Sequence, residues 1–452
     1  MKGEGIMKGA FLLGAGALFS KILGAVYRIF LTLLVGGYGL GLYQMIFPLY
    51  TLLLDFSGTG VPSALSKIIS SKEKQDRKVL SKHYLLVAIR ILTIFGMVFS
   101  VLMALLSRAI SSAQGNLEVM LGYVFLSPSV FLVAIISCFR GYFQGQMNMK
   151  PTAISQVIEQ SVKLVLGLFF AYLFRANIPL AVASCTGAIT ISELVALIYL
   201  YLLYKRDSKG ILVDKATIKS QFFVRAKEIL KVTFPITIVG IMLPISHVID
   251  SFVVVNVLST HTNSATALYG LLGGVVCTVI GLPVSVCYGI STATIPSVSA
   301  CKTQEEKQKN AVNSILLTTA VSFLFYILTF IFAPLIVKIL FSSLSQGEKG
   351  VAISLLRLTA PCVMLLSLVQ TTNAVLIGKG KFYLPVISMA TGVIIKTAME
   401  IILMSSPKIS VMGGGLALNA CYFFICLINL IMIKVKGKTS ESSIAYHRQF
   451  SS

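Results

Sequence analysis

The sequence predicts an all-α polytopic membrane protein with about twelve transmembrane helices. These form two six-helix lobes related by a pseudo-two-fold axis along the membrane normal. Three observations carry this expectation. Apolar residues make up 56% of the 452, and Asp, Glu, Lys and Arg together only 12%, against about 25% charged residues in soluble domains; mean hydropathy is +0.88. Charge-free windows at 29–54, 119–139, 311–337 and 409–433 each hold the roughly 20 residues of a spanning helix, whereas a barrel shows alternating segments of about ten. Finally, the chain is built twice. Tyr38-Gly39-Leu40, Pro48, Gly60-Val61-Pro62-Ser63 and the charged stretch Lys72 to Lys78 return as Tyr269-Gly270-Leu271, Pro283, Thr294-Ile295-Pro296-Ser297 and Lys302 to Lys309. Gly145, Pro151 and Lys163 likewise return as Gly378, Pro385 and Lys396. Repeats with an even number of spans share one topology, which places their axis along the normal.

Hydropathy and its interruptions place spans at 10–35, 41–66, 84–107, 119–143, 151–174, 178–204, 229–257, 266–297, 312–341, 352–377, 383–404 and 411–433. The first span, GAFLLGAGALFSKILGA, is interrupted by Lys21 and followed by many others, so it reads as an uncleaved helix and not a signal peptide. The twelve spans group into an N-terminal six-helix lobe (1–208), with a cytoplasmic linker (209–228), a C-terminal six-helix lobe (229–436) and a cytoplasmic tail (437–452). Pro48, Pro62, Pro128, Pro235, Pro244, Pro283, Pro296 and Pro361 fall in or at the ends of spans, where a missing backbone donor bends a helix.

Alternate loops test this map. Of the 38 basic residues, 27 border the side that carries both termini, 5 border the other and 6 lie within spans. Positive-inside then puts both termini in the cytoplasm. The same bias accounts for the net charge of +22, because basic residues beside spans attract anionic lipid heads; nucleic acid is not an expected partner. The eight cysteines show no C-x-x-C spacing and the four histidines are scattered, so no metal centre and no cofactor is expected.

The chemistry lies in charges inside the spans. Asp55, Glu159, Glu193, Asp250 and Glu400 sit there with Lys21, Arg28, Lys163 and Lys396. Each such charge costs at least ~2.5 kcal/mol at mid-membrane, so it faces protein or a watery path. Lys21 and Arg28 are seven apart, on one face of the first helix, and suit phosphate oxygens. Glu159 and Lys163 are spaced for an i,i+4 pair, and Lys396 and Glu400 repeat the spacing in reverse order. Cavity lining and static ion pairing both remain open for these four. Asp55 and Glu193 read equally as proton or Na⁺ carriers or as hydrogen-bonded acids, and the acids as a group are candidates for ion coupling or gating. His247 lies three residues before Asp250 on the same face. The repeat register brings Asp250 to the depth of Arg28, which predicts a contact between them in one state of the cavity.

Ser20-Lys21-Ile22-Leu23-Gly24 with Tyr27-Arg28, QMIFPLYTLLLDFSGTGVPSALSKIIS at 44–70 and FRGYFQGQMNMKPTAISQVIEQ at 139–160 resemble the stage V sporulation protein B group of the polysaccharide flippases. These belong to the multidrug/oligosaccharidyl-lipid/polysaccharide exporter superfamily, which includes the lipid II flippase. The resemblance covers essentially the whole chain. It implies two lobes around a central cavity and, without catalysis, movement of undecaprenyl-pyrophosphate-linked cell-wall or polysaccharide precursors by alternating access. Lys21, Arg28, Lys163 and Lys396 are then the expected substrate cations, and membrane lipid and cell-wall synthesis enzymes the expected partners. Three departures stand out. The acid expected early in helix 2 is absent from Gly39 to Tyr43, Tyr50-Thr51-Leu52 replaces an arginine pair, and there are 12 predicted spans where the lipid II flippase has 14. A cation-coupled multidrug exporter of the same superfamily is the alternative, and a membrane glycosyltransferase or ligase a more distant one.

Overall fold

An unbroken helix of 57 residues runs about 85 Å, nearly three times the hydrocarbon core of a bilayer. Helix α1 (Lys2–Gly58) avoids this by turning at Gly36, where φ is 65° and ψ −169°, a conformation that glycine adopts without a Cβ clash. The rings of Tyr27 and Tyr43 lie 6.1 Å apart, whereas a straight helix separates such positions by about 24 Å. α1 is therefore a hairpin of two spanning arms.

The computed structural model describes residues 2–58, 60–70, 77–209, 220–299, 301, 303–381 and 383–434, and every regular element among them is helical. After α1 come α2 (Gly60–Ser70), α3 (Arg77–Leu105), the short α4 (Ser107–Ala113), α5 (Met120–Gly145), α6 (Lys150–Leu173) and α7 (Ile178–Asp207). The second half holds α8 (Phe222–Ser259), α9 (Ala265–Tyr269), a π-helical stretch Gly270–Val276, α10 (Cys277–Ser299), α11 (Gln304–Leu340), α12 (Gln346–Thr359), α13 (Pro361–Gly378), α14 (Tyr383–Met404) and α15 (Met412–Lys434). Eleven stretches are long and apolar enough to cross a membrane, and the first, Phe19–Ser70, contains the hairpin, so the described residues make twelve crossings.

Local signals set the boundaries. Asn177 caps α7 through its side chain, and Thr303 with Glu306 and Ser345 with Glu348 form capping boxes at α11 and α12, satisfying otherwise orphaned N–H groups. The span expected at 352–377 is in fact two helices, α12 and α13, divided at Ala360. Pro361 takes the first position of α13, where its lack of an N–H costs least. α8 begins at Phe222, ahead of the expected 229. Residues 210–219 of the expected linker and the tail 437–452 lie outside the described residues.

The sequence repeat reappears as a packing repeat. In the first lobe α6 packs on α7, α5 on both α3 and α7, and the first arm of α1 against α6. In the second, α14 packs on α15, α13 on both α11 and α15, and α8 against α14. On the side away from the termini, the far side, the two copies of the Tyr-Gly-Leu motif meet across the pseudo-axis. A Cβ on Gly41 would fall on the Thr266 carbonyl, and one on Gly270 would fall on the backbone of Gly37 and Gly41. Glycine is required there because two backbones touch.

Candidate substrate pocket between the lobes

The two arms of α1, α8 to α10, α14 and α15 line a pocket of about 270 Å³. Arg28, Gln44, Phe47 and Thr51 line it from the first lobe, and His247, Asp250, Tyr269, Gly273 and Glu400 from the second. The hairpin at Gly36 places Phe47 opposite Arg28, whose guanidinium lies 5.4 Å from the ring centroid and donates to Thr278 Oγ1 at 3.5 Å across the lobe boundary. Lys163 of α6 approaches the same ring at 5.0 Å and the Tyr27 ring at 5.1 Å. Its residue is only 7% exposed, and no carboxylate among the described residues lies within 4.0 Å of its ammonium. Aromatic faces stabilise a cation by roughly 0.5–2 kcal/mol, well short of a full counter-ion in a low-dielectric interior. Two cations thus share one aromatic ring and leave their strongest interaction unfilled. Lys21, one helical stretch nearer the termini, is exposed and sits 4.5 Å from the centroid of Tyr288 on α10.

The acids fall into two clusters. Glu159 does not pair with Lys163 on its own helix; it accepts from Arg140 Nη2 of α5 at 2.9 Å and from Gln160 at 3.2 Å. Arg140 also donates to Ser155 at 3.0 Å, and its rigid fork suits this bridging. Glu193 on α7 is fully buried and accepts a short hydrogen bond from Tyr50 Oη, with its other oxygen unpartnered. The second cluster is in the C-terminal lobe. Asp250 does not touch Arg28 as the register predicts. It pairs with Lys396 Nζ at 2.5 Å and lies 3.7 Å from His247 Nδ1. Lys396 donates to Ser246 Oγ at 2.5 Å and is 1% exposed, and Glu400, one turn along α14, keeps one buried oxygen unpartnered. Asp55 is half-buried on the second arm of α1 and is not among the pocket-lining residues.

The far side of the pocket is sealed by hydrogen bonds across the lobes. Gln114 donates to Ser251 at 3.0 Å, Asn116 to Thr266 at 3.2 Å, Asn256 to the Ala113 carbonyl at 2.8 Å and Ser343 to the Thr32 carbonyl at 2.9 Å. Gln44 donates a short bond to the carbonyl of Gly273, inside the π-helical stretch, a geometry often found at functional sites. Replacing Gly41 by valine wedges this seam open. We expect a cysteine at the buried Val254 to react several times faster with a membrane-impermeant maleimide in Gly41→Val, while the protein stays monodisperse; an unchanged rate would mean that the seam does not move.

Phe47, Thr278 and Ser246 carry no charge that marks them in the sequence, and Tyr50 and Tyr269 stand out there only as parts of motifs. Arg140 stands in the sequence at the border between two spans. One signal was available for it: Arg140 and Glu159 open and close the same 139–160 motif.

Two six-helix lobes packed about a pseudo-axis, with a charged pocket at their seam, define a polytopic membrane protein with a polar site between its halves. Residues 6–301 match the family described as polysaccharide biosynthesis protein, and the chain belongs to that family. It is 26% identical over 467 residues to stage V sporulation protein B of Bacillus subtilis, covering 98% of this chain and 88% of that protein. It is also 26% identical over 470 residues to the lipid II flippase MurJ of B. subtilis, covering 95% of this chain and 82% of that one. Among solved structures, the inward-facing conformation of a multidrug resistance MATE family transporter of the MOP superfamily superposes with a TM-score of 0.70 at 15% identity, covering 93% of this chain and 96% of that one.

Proposed function

We propose that this protein moves a lipid-linked, pyrophosphate-bearing cell-wall or polysaccharide precursor across the cytoplasmic membrane by alternating access, both termini being cytoplasmic. The observation that carries the reading is Lys163: a buried ammonium beside Arg28, resting on aromatic rings with no carboxylate among the described residues within 4.0 Å. An anionic group from outside the chain supplies what the site lacks, through charge-assisted hydrogen bonds. Lys21, Lys163 and Arg28 then form a series of cations from the terminal side towards the far side. At about 270 Å³ the pocket is below the roughly 300–1,000 Å³ of sites for drug-sized ligands, so this state is narrower than a sugar-bearing cargo requires and the lobes must part to admit it. Lys396, already held by Asp250, belongs in this reading to a C-terminal charge cluster. With both acids ionised, that cluster of Asp250, Glu400 and Lys396 carries one excess negative charge for a coupling cation or proton.

Asp250 and Glu400 lining the pocket favour a second reading, a cation-coupled drug exporter of the same superfamily. Purified protein in proteoliposomes separates the two. Transbilayer movement of labelled lipid II without movement of a cationic dye supports the flippase; dye movement alone overturns it. Orientation is checked by reporter fusions after Lys209 and after His261, which should report opposite sides; equal signals would contradict the topology.

A further inference from the structure

A second cavity lies away from the lobe seam. The groove, about 550 Å³, is lined by Ile89, Arg90, Thr93 and Ile94 of α3 and by Phe222 and Phe223 of α8. Arg90 heads a stripe of exposed side chains, Ile94 at 68%, Met97 at 56%, Val101 at 55% and Leu105 at 75%. That spacing is one helical face, and in a membrane-spanning helix an exposed apolar face meets lipid tails. Phe223 on the other wall is 82% exposed, near the start of α8 and ahead of the charged residues Arg225, Lys227, Glu228 and Lys231. This wall therefore stands at the membrane surface.

Arg90 itself is exposed, and no carboxylate among the described residues lies within 4.0 Å of it. We propose that this groove binds a membrane phospholipid with an anionic headgroup, its phosphate on Arg90 and an acyl chain passing the paired Phe222 and Phe223 rings onto the Ile94 to Leu105 stripe. Charge complementarity selects this occupant. A guanidinium over hydrocarbon walls matches a phosphate above an acyl chain, and the lipid-facing position excludes a soluble partner. The groove also bridges the lobes, since α3 belongs to the first and α8 to the second. Their contact beside it is polar: Tyr84 Oη donates to Glu228 at 2.5 Å, and the Arg225 guanidinium lies 5.4 Å from the Tyr84 ring centroid. A lipid held on both walls resists separation of the lobes at the terminal side.

The test uses the full-length protein in nanodiscs containing equal phosphatidylcholine and phosphatidylglycerol, followed by native mass spectrometry. The protein retains phosphatidylglycerol in preference to phosphatidylcholine; Arg90→Gln lowers that retention about fivefold, Phe223→Ala lowers retention of both lipids, and Arg108→Gln on the far side changes neither. Hydrogen exchange over residues 222–231 slows with phosphatidylglycerol in the parent protein and not in Arg90→Gln. Wild-type retention by Arg90→Gln, or an equal loss in Arg108→Gln, would overturn the site and leave only a diffuse basic belt.

Discussion

Arg28→Gln combined with Lys163→Met lowers the transport rate of a lipid-linked pyrophosphate substrate in proteoliposomes by about two to four orders of magnitude. Each cation contributes roughly 1.5–3 kcal/mol through charge-assisted hydrogen bonding to phosphate, and 1.4 kcal/mol is about tenfold. The two losses should not simply add, because Arg28 and Lys163 rest on the same Phe47 ring and groups in contact are coupled. A double-mutant cycle measures that coupling. Stability separates function from folding. Removing a buried cation that has no carboxylate partner does not strip the interior of a needed contact, so Lys163→Met alone should melt at or above the temperature of the parent protein while transport falls. Full transport by the double variant would remove this pair from the substrate path.

The repeat mate of Lys163 gives the opposite result. Lys396→Met strands Asp250, which loses its 2.5 Å partner, beside the buried Glu400. Deleting one member of a buried ion pair typically costs about 3–5 kcal/mol, so this variant should unfold at markedly lower denaturant than the parent. Adding Asp250→Asn should recover most of the loss, because replacing a whole buried pair by neutral groups is close to neutral in stability. If Lys396→Met and Lys163→Met changed stability alike, the asymmetry between the lobes would be refuted.

That asymmetry marks the limit of what was legible in the chain itself. Composition, charge-free windows and turn residues were enough for twelve crossings, because a bilayer leaves a backbone few alternatives to the helix and its thickness sets the length. The repeated Tyr-Gly-Leu and Gly-Pro-Lys motifs were enough for two lobes of one topology. The span at 352–377 was misread where hydropathy cannot see a break and Pro361 made one. Within the site, the sequence determined which charges lie at membrane depth: all nine singled-out residues lie in membrane-spanning helices, although Lys21 is exposed there and Asp55 only half-buried. Their partners were another matter. Spacing along one helix suggested Glu159 with Lys163 and Lys396 with Glu400, yet Arg140 claims Glu159 from α5 and Asp250 claims Lys396 from α8. An i,i+4 pair contributes only about 0.2–0.5 kcal/mol, whereas a well-made hydrogen bond to a charged group inside the bundle contributes roughly 1.5–3 kcal/mol, so packing between helices overrides spacing within one. The sequence by itself determined a membrane bundle with charges at its centre. Only the tertiary structure, through the Gly36 turn that lays Phe47 against Arg28 and Lys163, decided which lysine is neutralised and which stays open to an anion.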